Sequence, residues 1–200
     1  MKERLGRLAE IRTGYPFRGR IDRVEDGNCR LVQMGDVRAS AGDVTDVAAR
    51  VNLPEGPGKH VLHYGDVLFV GRGMRNEAAT FVAEGGNVIA APHLFVLRTE
   101  GRVAFPDYLT WWLNLPETQE KIRAMRRGSA VPFVPMSNLA ALEVPLPSID
   151  MQNHIAGIQR LSLQEQSLME QIRERRRALV DGLLLEAVRR TTAGSATANH

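Results

Sequence analysis

A single cysteine, Cys29, among 200 residues excludes a disulfide framework and any multi-cysteine zinc site, and fits a reducing compartment. Lysine is almost as scarce, with 3 Lys against 23 Arg among the 26 basic residues. No apolar run approaches the ~20 residues that cross a bilayer. The opening MKERLGRLAEIR lacks the apolar stretch of a signal peptide, so a cytoplasmic protein with no membrane partner is expected. Catalytic signatures are also missing. GRGMRNE (71–77) has neither the lysine nor the helix pattern of a phosphate loop, and no GxSxG elbow occurs. Asp66 and Glu77 have no nearby lysine to complete a nuclease set, and Asp66 reads as part of a Gly-Asp turn. His60 and His63 lie among glycines that oppose a helix, with no third ligand at metal spacing. Neither an enzyme nor a bound cofactor is expected.

What is present is the composition of a folded chain, 44% apolar and 24% charged, long enough for one substantial domain with an appendage. Residues 1–147 are mixed. RLVQMGDV (30–37), DVLFVG (66–71), AATFVA (78–83) and HLFVLRT (93–99) are short β-rich runs bounded by Gly and Asp, which predicts strands. PDYLTWWLNLPETQEKIRAMRRG (106–128) has helical spacing, with Pro116 opening a second short helix. Four prolines in 130–147 predict an extended edge segment there. The fold class is therefore α+β, a β-rich domain with short helices followed by one long helix.

That helix is expected over 148–190, a stretch without proline, capped by Ser148 and aided by Asp150 in its first turn. Ile158, Leu161, Leu168, Ile172 and Leu179 fall on the alternating three-and-four spacing of a coiled-coil seam. Glu165 and Arg175 occupy seam positions as well. In two copies running antiparallel about Glu170, Leu168 faces Ile172, Leu161 faces Leu179 and Glu165 faces Arg175, so the charged misfits neutralise each other. A helix of some 40 residues spans ~60 Å, longer than a domain of ~150 residues covers, which favours a partner over packing on its own domain. The tail 191–200 is small, polar and unpatterned, and is expected to be disordered.

Arginines cluster in loops. Arg18 and Arg20 flank Gly19, Arg72 and Arg75 precede Asn76 after the DVLFVG strand, and Lys121, Arg123, Arg126 and Arg127 close the second short helix. Positive charge at a helix C-terminus is stabilising in itself, and loop charge is often only solvated. Arginine forks also suit phosphates and guanine edges, and asparagine suits adenine, so Arg18, Arg20, Arg72, Arg75, Asn76, Arg126 and Arg127 are the candidate contacts to double-stranded DNA.

The order LGRLAEIRTGYPF, GNCRLVQMGDV, LHYGDVLFVGRG, APHLFVLRT, FPDYLTWWLN and GSAVPFVPMSNLAALEVPLPSIDMQNHIAGI, ending in a long helix, resembles half of a type I restriction-modification specificity subunit. The most specific stretch is VPLPSIDMQNHIAGI (144–158). The resemblance implies a DNA target recognition domain (1–147) that reads one half-site of DNA. It also implies a spacer and dimerisation helix (148–190) that docks a methyltransferase (modification) subunit and, where the system has one, a restriction subunit. It carries over a framework only: Gly65, Asp66 and Gly71 around the central strand, and Pro145, Pro147 and Gln152 at the helix entrance. The usual subunit has two recognition domains and two helices, whereas this chain has one of each, so the resemblance implies a second half from another copy, as a homodimer with antiparallel helices, or from another polypeptide, and leaves open a variant defence system. The alternatives are a coiled-coil adaptor of a related defence system, whose globular domain binds protein, and a small nuclease or methyltransferase.

Overall fold

The computed structural model describes residues 1–17, 19, 21–84, 86–99 and 105–196, with side chains to 189. It forms two compact units that divide inside the long helix, the first ending at Arg160. In the first unit the chain runs through β1 (Lys2–Arg4), α1 (Leu5–Leu8), β2 (Ala9–Thr13), β3 (Cys29–Val32), β4 (Asp43–Val44) and β5 (Arg50–Val51). There follow β6 (Val67–Val70), β7 (Ala78–Phe81), β8 (Val88–Ala90), β9 (Leu94–Thr99), α2 (Pro106–Asn114), α3 (Pro116–Ala124), α4 (Met136–Ala140), β10 (Glu143–Pro145) and the start of α5 (Ile149–Ala196). No helix among the described residues is long and apolar enough to cross a membrane.

The centre is a five-stranded sheet in the order β2-β9-β6-β7-β4, antiparallel except for the parallel pair β4 and β7. Every residue of β6 and β7 is buried, so neither strand has a polar face to offer solvent. Side chains alternate across a strand, so each face needs its own cover. Val67 and Phe69 of β6, with Leu97 of β9, enter a core built with Tyr108, Leu109, Trp112 and Leu113 of α2 and Ile122 of α3. Leu68 and Val70, with Leu94 and Val96, point the other way, into a core with Leu31 and Val32 of β3 and Ile89 of β8. Those last strands belong to a second, three-stranded sheet in the order β5-β3-β8. The first unit is thus helices on sheet on sheet.

Polar groups fasten the layers. The Thr80 and Thr110 hydroxyls meet at 2.9 Å between β7 and α2, and the Asn114 amide both accepts from the Ala78 N–H and donates to its carbonyl. Asp66 is buried and takes a two-pronged bond from Arg98 at 2.7 and 2.6 Å, while its carboxylate also accepts the His63 amide. That bond, outweighing the opposing effect of Arg98's own burial, holds its guanidinium above its ordinary pKa. Burial and the nearby Arg98 lower that of Arg12, whose Nη2 stands 3.8 Å from Asp66. The Gly-Asp turn read from sequence is therefore also the anchor of a buried ion pair.

The segment 130–147, expected to be extended, contains the short helix α4 and a single strand, β10, which pairs antiparallel with β1. Pro135 stands at the N-cap of α4 with φ −62° and ψ 132°, a position its ring tolerates, so the prolines bracket a helix rather than forbid one. At the entrance to α5 the Ser148 hydroxyl accepts the Met151 amide at 3.3 Å. Buried Gln152 accepts the Phe105 amide and donates to the Pro147 carbonyl, and the Tyr108 hydroxyl donates to the Pro145 carbonyl at 2.6 Å. Pro145 and Gln152 are thus tied to the start of α2, and Pro147 to Gln152. The helix continues to Ala196, into the stretch expected to lack structure, and residues 197–200 of that tail lie outside the described residues.

Asp66→Ala leaves two part-buried guanidiniums uncompensated and is expected to cost ~3 kcal/mol, the low end for breaking a buried pair. Urea unfolding of the variant and parent measures this, and equal midpoints would show that the pair contributes nothing.

Candidate nucleic-acid interface

The loop after β6 begins at Gly71, where a Cβ would stand 2.9 Å from the Phe95 ring. Its backbone is pinned on both sides, the N–H donating to the His93 carbonyl and the carbonyl accepting the Val134 amide. Gly73 then adopts φ +108°, open to glycine but strained for other residues, and its N–H reaches the Pro132 carbonyl at 2.8 Å. Phe133 pairs as an isolated bridge with Arg72 on one side and Arg127 on the other. Cross-strand partners share a face, so Arg72, Phe133 and Arg127 emerge together. Segments more than fifty positions apart in sequence become one edge of the fold.

Asn76, expected from sequence to contact DNA, is only 1% exposed. Its Nδ2 donates to the Val70 carbonyl at 2.8 Å, its Oδ1 accepts Arg126 Nε at 2.6 Å, and its backbone carbonyl accepts Gln119 Nε2. An amide committed inward in this way has no edge left for a base, so Asn76 holds the loop shut rather than reading a sequence. Arg126 is spent similarly: a terminal nitrogen donates to the Met74 carbonyl at 2.7 Å, and burial, with the nearby Arg123, lowers its pKa. What these bonds present to solvent is Arg72, Arg75 and Arg127, all exposed, around Met74 at 73% and Phe133 at 43% exposure.

Arg18 and Arg20 lie outside the described residues. Lys121 and Arg123 are exposed on α3, where Arg123 Nε bonds back to the Gln119 carbonyl. Sequence reasoning passed over Arg38, Met34 and Phe133. Arg38 and Met34 flank the Gly35-Asp36 turn that ends a strand, the same signal that marked Arg72, whereas nothing local distinguishes Phe133. Cys29 is buried, which raises its thiol pKa and leaves it protonated and unreactive despite the adjacent Arg30. His60 packs edge-on against Tyr15 at 5.3 Å and burial lowers its pKa. Among the described residues no group of His, Cys, Asp or Glu is placed to hold a metal ion. Along α5, Ile158, Leu161, Leu168, Ile172 and Leu179 are all exposed.

No family model and no curated protein matches the sequence. The fold, a β-rich unit whose chain continues into a long helix, does have solved counterparts. It is similar to the S subunit of a type I restriction-modification system from M. genitalium, at TM-score 0.57 and 16% identity over 85% of this chain and 40% of that one. It is likewise similar to the HsdS subunit from Thermoanaerobacter tengcongensis, at TM-score 0.57 and 20% identity over 88% of this chain and 44% of that one. A chain from a structure of complex assembly and conformational transition in the type I R-M system aligns at TM-score 0.59 and 19% identity over 84% of this chain and 39% of that one. The chain thus spans less than half the length of the solved chains it matches.

Asn76→Ala strands the Val70 carbonyl and loosens Arg126, and is expected to cost ~1–3 kcal/mol. If Asn76 faced solvent instead, unfolding by denaturant would show no change.

Proposed function

We propose that the chain is a non-catalytic DNA-recognition subunit of a type I restriction-modification system, reading one half-site per copy and docking a methyltransferase subunit. The observation that carries this reading is the convergence of Arg72, Arg75 and Arg127 on one loop edge of a fold otherwise known from S subunits. Three exposed guanidiniums suit phosphates and guanine edges, and a loop pinned at Gly71, Gly73, Met74 and Asn76 loses little freedom on binding. Arg126 and Asn76 serve as positioning residues for that edge. A protein-binding adaptor can also use solvent-facing arginines, and the two readings separate on salt-dependent binding of duplex DNA, which the adaptor reading does not predict.

In this reading the long helix pairs with a second copy. Leu168 and Ile172 are 59% and 66% exposed, and an antiparallel pairing about Glu170 covers each with the other. The same register sets Glu165 against Arg175 and Ile158 against Gly182, where the helix surface is open. Leu183, Leu184 and Leu185 are exposed beside this seam and leave apolar surface for a further subunit. A two-fold dimer implies an interrupted inverted repeat as target.

In fluorescence anisotropy with duplex DNA across a salt titration, the Arg72→Ala, Arg75→Ala double variant should bind more weakly. The salt slope should fall by ~1 for each arginine that reads phosphate, and ~1–3 kcal/mol of discrimination should vanish at a base pair read directly. Unchanged specific binding would remove this edge from the interface. For the dimer, Leu168→Asp with Ile172→Asp should give monomers by light scattering with folded globular units, and a monomeric parent at micromolar concentration would end that part of the reading.

A further inference from the structure

The connection after β3 carries a second loop to the same edge. Asp36 accepts the Gln33 amide at 2.8 Å and Arg38 Nε donates to the Gly35 carbonyl at 3.0 Å, so the turn is internally bonded. Glu77, at the base of the β6–β7 loop, accepts the Ala39 amide at 3.1 Å and ties the two loops together. Between them lies an open groove of about 190 Å³ lined by Met34, Val37, Arg38, Arg72, Met74 and Arg75.

Two features of this groove go beyond phosphate binding. Its rims carry exposed methionines, Met34 at 40% and Met74 at 73%, between three exposed arginines. A site for phosphate alone needs no such apolar surface, whereas a thioether packs well on a methyl group. Gly35 lies on the rim, yet a Cβ there would meet nothing within 4 Å and its φ is not among the positive ones. Neither packing nor backbone geometry within the chain requires glycine at that point. Its bareness leaves clearance for something outside. In a DNA major groove, acceptors on guanine lie beside the one exposed apolar group, the 5-methyl of thymine.

We propose that this groove reads thymine in the major groove, with Met34 and Met74 packing on the 5-methyl and Arg38 joining Arg72 and Arg75 on the adjacent base edges and phosphates. This rests on the DNA-recognition reading above. The test uses the full chain and a randomised duplex pool, selected in parallel with thymine and with deoxyuridine in its place, which keeps every hydrogen-bonding group and removes only the methyl. The thymine pool should yield a site with a fixed thymine whose replacement by deoxyuridine weakens binding by about fourfold, the worth of one buried methyl. Met34→Ala with Met74→Ala should bind the two probes equally. Arg38→Ala should weaken both alike, and Gly35→Val, which the free chain accommodates, should weaken the thymine probe. Equal binding of both probes by the parent chain, or a selected site without a fixed thymine, overturns the inference and leaves the DNA-recognition reading standing. A parent chain that selects no duplex sequence from either pool overturns both.

Discussion

Strand β6 has no polar face. With all of Val67–Val70 buried, one side must be covered by α2 and α3 and the other by the sheet of β3, β5 and β8. The same constraint fixes where β6 can stop. It leaves the two cores at Gly71, too close to the Phe95 ring for any side chain, and the chain emerges there as the loop that carries Arg72 and Arg75. The layering of the fold and the position of its cationic edge are therefore consequences of one doubly buried strand.

The arginine-rich composition divides into distinct tasks. Arg98 and Arg12 gather on buried Asp66, and Arg126 is spent on Asn76 and the Met74 carbonyl. Arg38, Arg72, Arg75 and Arg127 remain exposed. Arg126, with Asn76 and Gln119, holds the backbone of the loop that carries Arg72 and Arg75, so that loop loses little freedom when a ligand binds. Composition alone cannot separate an arginine that builds a surface from one that acts on it.

The long helix obeys a different logic. Its exposed apolar residues are a liability on an isolated chain, and in the proposed antiparallel pairing Glu165 opposite Arg175 would lower the stability of the seam. Charges in a seam discriminate among registers, because a shifted or parallel pairing would bring like charges or unpaired ones inside. Such a seam trades some affinity for a single arrangement.

Elements specified by local pattern were legible in the sequence. The strand runs of β6, β7 and β9, the Pro-initiated helices α2 and α3, the Ser148 cap and the turn at Gly65-Asp66 all follow from periodicity and turn chemistry within a few residues. Strands β4 and β5, two residues each, and β1, β8 and β10, three each, carry no period of their own and exist only because a partner strand lies alongside. The short helix α4 hid behind prolines that flank it. The same division runs through the interface: the sequence marked Arg72 and Arg75 as loop cations and Arg127 as one that closes a helix, and the resemblance marked Gln152 as a framework position. Only tertiary structure turned Asn76 inward, joined Arg127 to Arg72 through Phe133 and set Arg38 across a groove from Met74, because burial and non-local pairing are properties of the packed chain and not of any segment of it.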